Sequence, residues 1–264
     1  MKARIIQGSD FPEVAEAPVS WGSTNQGAQG FKAIVNPKTG KVFSIVSREY
    51  RLIRHEEAVD FVKGIVESTE GMGDYELILD FHDEGSRMTA TYRFLEFSVD
   101  IGAGDSVCPE LHLFNSYDAR WSFTVLLGAF RFVCTNGLVI GKKFFHLRSR
   151  HFPSFDPDHA REQIASAFDR FNRQAEEWRQ WHYRQISLRQ YRGILKAMNL
   201  GKRAAREIET RILEEAKGSD QNGLPIISLW GFYNVLTWYI THRAVSLNHR
   251  VEMEKRLRAA LSRF

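Results

Sequence analysis

The sequence predicts an α+β fold, with an antiparallel sheet and hairpins in the N-terminal half and a helical C-terminal half packed on it. Three observations predict this. Apolar and aromatic runs broken by turn residues fill the chain as far as about residue 150. From residue 157 onward apolar residues recur at spacings of three and four, the period of a helix. The change falls at Pro153, without a repeat or a low-complexity tract. The expected organisation is a loosely ordered arm over 1–30, a sheet domain over 31–152 and a helical domain over 153–264; the last two also read as one continuous domain. A chain of 264 residues, 43% hydrophobic, carries enough apolar material for either arrangement.

Each element has a local reason. Residues 1–30 are rich in Gly, Ser, Gln and Asn with little periodicity. Phe31–Val35 and Lys41–Val46 read as strands around Asn36-Pro37-Lys38-Thr39-Gly40, where Pro presets one backbone angle and Gly permits a positive one. His55–Glu67 reads as a helix with Ala58, Val59, Val62 and Ile65 on one face. Tyr75–Phe81 and Met88–Val99 read as strands around a hairpin tip, His82-Asp83-Glu84-Gly85. Leu111–Phe114, Trp121–Val133 and Lys142–Arg150 supply further strands, and Asn136-Gly137 is a tight-turn signal.

In the second half, Asp156-Pro157 opens a long helix with Ile164, Phe168, Phe171, Ala175 and Trp178 in one stripe. Ser187-x-x-Gln190 is a capping-box pattern, followed by Leu188, Tyr191, Leu195 and Met198 on one face. Residues 202–216, 226–242 and 251–261 read as helices, and Gly218–Gly223 as a loop.

Composition narrows the function classes. Two cysteines and seven prolines exclude a disulfide scaffold and a collagen-like chain. Cys108 and Cys134 form no Cys-x-x-Cys and read as small buried side chains in a reducing cytosol. No signal peptide is evident at the start. The most membrane-like stretch, Trp121–Gly141, is interrupted by Arg131 and Thr135-Asn136-Gly137, so no membrane association is expected.

Charge carries the strongest signal. The net +4 hides a division: residues 1–118 hold 11 basic against 19 acidic side chains, and residues 119–264 hold 25 against 13. Two windows contain no acid at all. Residues 119–155 carry Arg120, Arg131, Lys142, Lys143, Arg148 and Arg150. Residues 178–206 carry Arg179, Arg184, Arg189, Arg192, Lys196, Lys202, Arg203 and Arg206.

Arg189, Arg192 and Lys196 stand at i, i+3 and i+7, in one stripe beside the apolar stripe of the same helix. Unpaired cations at that pitch repel one another, and phosphates are a natural repeating partner. Phe144, Trp181 and Tyr183 lie among them, and cations interleaved with rings are how single-stranded nucleic acid is held. The expected nucleic-acid-binding residues are Lys142, Lys143, Phe144, Arg148, Arg150, Trp181, Tyr183, Arg184, Arg189, Arg192, Lys196 and Arg203. The same cations also read as partners for the acidic half or for another subunit, and Trp181 also reads as core.

Catalytic signals are weaker. His146, His151, Asp156, Asp158, His159 and Glu162 are of metal-ligating types, but their spacing matches no recognised site. Phosphate-loop, dinucleotide-binding and serine-hydrolase motifs are absent, so no cofactor and no catalytic residue is expected.

Asn115-Ser116-Tyr117-Asp118 followed by Arg131-x-x-Cys134-x-Asn136-Gly137 resembles a phage- and plasmid-associated bacterial family, domain of unknown function 932. Arg150-His151, the Tyr50–Glu56 segment and Leu229–Thr237 with Thr241-His242 resemble further parts of it. Tyr117 departs from the His found in many members. The resemblance covers about residues 30–250 and implies a mobile-element origin and a bacterial cytoplasm, but no activity. A looser likeness, of plan only, is to phage single-strand annealing proteins of the RecT and Erf kinds.

The sequence therefore predicts a non-enzymatic, oligomeric protein that binds single-stranded DNA and assists annealing or recombination. The alternatives are a protein-interaction module acting on a host or defence system, and a metal-dependent nuclease using the cluster at 146–162.

Overall fold

Asn36-Pro37-Lys38-Thr39-Gly40 turns the chain as its residue types require. The Asn36 Oδ1 accepts from the backbone N–H groups of Lys38 at 2.9 Å and Thr39 at 3.2 Å, and Gly40 takes a φ of 72°. The structure, a computed structural model, describes residues 3–7, 10–22, 26–131, 136–138, 145–149, 157–216, 218, 223, 225–243 and 247–262.

In chain order the strands and helices are β1 (Ala3–Gln7), β2 (Ala15–Trp21), β3 (Gln26–Val35), β4 (Val42–Ser47), α1 (His55–Ser68), β5 (Tyr75–His82) and β6 (Arg87–Arg93). A short 3-10 turn (Leu95–Phe97) leads to β7 (Val99–Gly102), β8 (Asp105–Ser116), β9 (Phe123–Arg131), β10 (Asn136–Leu138) and β11 (Phe145–Ser149). Then follow α2 (Pro157–Tyr183), β12 (Gln185–Ile186), α3 (Leu188–Ala197), α4 (Lys202–Glu215), β13 (Ile227–Ser228), α5 (Leu229–Arg243) and α6 (Leu247–Leu261). The α+β class is as the sequence predicts, with sheets in the first half and helices in the second.

Three expectations change. The stretch 1–30 carries strands: β1 pairs in parallel with β5, and β2 pairs with β3. The run Met88–Val99 stops being a strand at Arg93, and a 3-10 turn follows over Leu95–Phe97. Asn136 and Gly137 lie in β10, paired with Arg131 and Phe130, and are not themselves the turn. Asp156 and most of the loop at 218–223 lie outside the described residues.

The elements form two compact units that interleave along the chain. In the first, β5, β6 and β8 pair in antiparallel register, with Leu79 opposite Ala90 and Ala90 opposite Leu113. Alternation puts Tyr75, Leu77, Leu79, Met88, Ala90, Tyr92, Leu111 and Leu113 in the core, together with the Ala58–Val59–Val62–Ile65–Val66 face of α1. The Tyr92 hydroxyl reaches the core only because it donates to the Val59 carbonyl at 2.8 Å.

The polar side of the same strands holds Glu110, with a side chain only 2% exposed. The carboxylate sits 2.7 Å from Arg93 Nε and 3.2 Å from His112 Nε2. Burial pushes the Glu110 pKa up, and His112 and Arg93 outweigh that and hold it below the ordinary range.

A fully buried histidine ties the first unit together. His55, the first residue of α1, has Nδ1 3.0 Å from Asn115 Nδ2 and Nε2 3.0 Å from the Gly85 carbonyl. Its backbone N–H donates to the Tyr117 hydroxyl at 2.8 Å, and the Tyr117 ring stacks on the imidazole with centroids 3.8 Å apart. Asn115 also donates to the Ile53 carbonyl at 3.0 Å, and Ser44 donates to the Tyr117 carbonyl at 2.7 Å. The helix start, the β5–β6 hairpin, the end of β8 and β4 are thus pinned at one point.

In the second unit, Trp178 and Trp230 pack at 5.4 Å, and the Trp230 indole donates to Asp105 at 2.7 Å. β12 and β13 pair, and the Leu229 N–H donates to the Arg184 carbonyl at 2.7 Å, so the end of α2 is fixed to the start of α5. Gly102, at φ +137°, lies so near the His182 ring that a Cβ there would come within 2.7 Å. α5 is buried on most sides and has no single apolar stripe. Among the described residues no helix is long and apolar enough to cross a membrane.

Burial lowers the His55 pKa from 6.5 to about 4, and the hydrogen bond to Gly85 only partly opposes it. Because the folded value lies below the unfolded one, the unfolded chain takes up the proton first. This stability is complete above pH 6.5 and is lost as the pH falls toward 4. Urea titrations should give an unfolding free energy about 2 kcal/mol lower at pH 5 than at pH 7 from this group. His55→Gln should remove that portion; an equal pH dependence in both proteins would contradict the assignment.

Candidate nucleic-acid interface

Ser187 and Gln190 start α3 with the predicted capping box. The Ser187 N–H donates to Gln190 Oε1 at 2.9 Å, and the Gln190 N–H donates to Ser187 Oγ at 3.4 Å. The helix buries Tyr191, Ile194 and Leu195, with Met198 buried at its C-cap. Arg189, Arg192 and Lys196 therefore face solvent. At 3.6 residues per turn they fall within an arc of about 60°.

α4 is built the same way. Ile208 and Ile212 are buried, and Lys202, Arg203, Arg206 and Thr210 are exposed. The acidic residues of its middle turns are committed to neighbours: Glu209 pairs with Arg192 at 3.1 Å and Glu207 with Arg243 at 2.7 Å. The start of the helix has no side-chain cap from its own sequence. Its N-cap, Gly201, makes no side-chain cap bond, and no acid stands in the first turn. Lys202 and Arg203, in the first turn, oppose the helix dipole there, each at about 0.3–1 kcal/mol. Helix stability alone does not select cations at these positions.

Beside this helix start lies an open cavity of about 650 Å³, lined by Gly201, Arg203, Ala204, Glu207, Tyr239 and Arg243. A smaller one of about 180 Å³ shares Gly201, Ala204 and Tyr239 and adds His249 and Arg256. Burial, and then Glu207, push the Tyr239 pKa up, so its hydroxyl stays protonated at neutral pH.

The other expected site residues have varied positions. Arg184 and Tyr183 are exposed at the end of α2, Tyr183 at 78%. Trp181 is half-buried, its ring edge-on to Tyr233 at 5.3 Å, so Tyr183 offers the more open stacking face. Arg148 lies in β11, opposite Thr124 of β9, in the first unit. Lys142, Lys143, Phe144 and Arg150 lie outside the described residues. The structure thus brings Arg189, Arg192, Lys196 and Arg203 onto two successive helices of the second unit. Lys202 and Arg206 complete the α4 face; their place in the acid-free window was the signal for them.

Of the cluster at 146–162, His151 and Asp156 lie outside the described residues. Among the described residues no group of three His, Cys, Asp or Glu side chains is placed to hold a metal. Cys108 is fully buried.

The second unit thus defines a class: an α+β protein that presents a basic helix pair to solvent. A family model described as a domain of unknown function, DUF932, matches residues 42–261, and the chain belongs to that family. Two curated relatives are the UPF0380 proteins YfjQ and YafZ of Escherichia coli (strain K12). Each is 49% identical over 43 residues, which is 16% of this chain and 16% of the relative. The match thus spans only a small part of either relative. No solved structure matches the chain.

The family-like residues His55, Asn115 and Tyr117 lie at the buried node of the first unit rather than at an open cleft. Sequence reasoning found the motif and missed this role, because partners 60 residues apart meet only in the fold.

The capping box supports the basic face as well as the helix. Ser187→Ala should lower the unfolding free energy by about 1 kcal/mol. Chemical denaturation checks this, and an unchanged midpoint would show that Gln190 alone suffices.

Proposed function

We propose that this protein binds nucleic acid through the outward faces of α3 and α4. One observation carries the reading. The acid-free window folds into amphipathic helices whose apolar sides are buried, leaving Arg189, Lys196, Lys202, Arg203 and Arg206 in solvent. Such a row suits a phosphate backbone, where each contact releases condensed counterions.

The single-stranded form of the reading, with annealing or recombination as its task, draws support from Tyr183. This exposed ring is next to Arg184, and a base stacked on a ring contributes about 1–3 kcal/mol. A homo-oligomer in the cytoplasm of a bacterial host fits that task and the mobile-element character the family resemblance implies. Pairing of these cations with a protein partner is the competing reading, favoured by the acidic balance of residues 1–118.

Anisotropy titrations of a labelled single-stranded oligonucleotide in rising salt test the proposal. Binding should weaken steeply with salt, and Arg189→Ala with Lys196→Ala should reduce the logarithmic slope by about 1–2. Absence of strand binding at low salt would sink the single-stranded form of the reading, and a slope the double variant leaves unchanged would sink the assignment to this face.

A further inference from the structure

We propose that α3, the turn at 198–201 and α4 form a helix-turn-helix that seats α4 in the major groove of duplex DNA. This rests on the nucleic-acid reading above and names the form of DNA that this helix pair takes.

The connection has the required form. Four residues, Met198-Asn199-Leu200-Gly201, separate the helices. Asn199 adopts the left-handed φ of 53° that reverses the chain, with its N–H donating to the Lys196 carbonyl at 3.0 Å. The inner side is apolar on both arms and across the turn. Ile194, Leu195, Met198, Ile208 and Ile212 are buried, and Leu200 is half-buried. The Arg192–Glu209 pair joins the two helices at 3.1 Å.

The outer side of the second helix has the chemistry of base readout. Lys202, Arg203, Arg206, Thr210 and Leu213 are all exposed and fall within an arc of about 100°. Arg and Lys donate to guanine O6 and N7, and Thr and apolar side chains meet the thymine methyl. These groups begin at the N-terminal turn, the end of a recognition helix that reaches base edges. Arg189, Arg192 and Lys196 on the preceding helix stand where the first helix of such a pair crosses the backbone.

The composition of this face disfavours a single strand. Sequence-tolerant grip on single strands uses aromatic platforms, and neither exposed arc carries a ring: Tyr191 is buried, and Tyr183 lies on α2.

The test uses the full chain, a labelled duplex and its single strand. Circular dichroism confirms the folding of Arg203→Ala/Arg206→Ala. The duplex should bind more tightly than the strand, and the double variant should weaken duplex binding at least about tenfold. Methyl green, a major-groove ligand, should compete, and the minor-groove ligand distamycin should not.

Preference for the single strand, duplex binding unchanged in the variant, or displacement by distamycin alone would each overturn the helix-turn-helix. None of these would touch the broader nucleic-acid reading. Binding to neither form would overturn both.

Discussion

Burial of the apolar stripes of α3 and α4 is the constraint on which the functional account depends. Tyr191, Ile194, Leu195, Ile208 and Ile212 are each at most 5% exposed. Once those side chains are inside, the rotation of each helix is fixed and the residues between them must face water. The acid-free composition of 178–206 then becomes a surface property. The two acids that follow immediately, Glu207 and Glu209, are taken up by Arg243 and Arg192, so within the outward stripes only Arg192 is paired this way and Arg189, Lys196, Lys202, Arg203 and Arg206 keep those faces basic. Cations at the start of α4 oppose its dipole, and a ligand carrying negative charge offsets that cost.

The first unit is organised around a different constraint, the burial of a titratable ring. His55 is tolerated in the core because both ring nitrogens have partners and Tyr117 stacks on one face. His55, Asn115 and Tyr117, three of the residues through which the chain resembles its family, converge here, which makes this part of the resemblance a statement about architecture. The acidic balance of residues 1–118 includes ion pairs with internal roles, such as Glu110 with Arg93 and Asp118 with Arg87.

Periodicity made most of the helices legible in the sequence, because α1, α2 and α4 each keep one apolar stripe and α3 adds a readable cap. The strands were harder. Ala15–Trp21 does alternate, but Pro18 and the Gly, Ser, Gln and Asn around it obscure the pattern, and β1 exists because β5 offers it a parallel edge, a pairing no local pattern encodes. Phe94 looks like a continuation of β6, but the chain leaves the ladder there and turns into the 3-10 segment. For the site, charge spacing located the α3 stripe, and only burial distinguished Tyr183 from Trp181 as the open ring. The left-handed Asn199 that joins α3 to α4 gave no signal beyond its residue type.

Lysine acetylation footprinting tests the central claim most directly, because Lys196 and Lys202 lie on the outward faces of α3 and α4 while Lys38 and Lys63 lie in the first unit. The labelling rate of each lysine is followed by mass spectrometry with and without DNA. The account predicts that DNA protects Lys196 and Lys202 and leaves Lys38 and Lys63 unchanged. Protection of Lys38 or Lys63 with Lys196 and Lys202 still reactive, or no protection at saturating DNA, would contradict it.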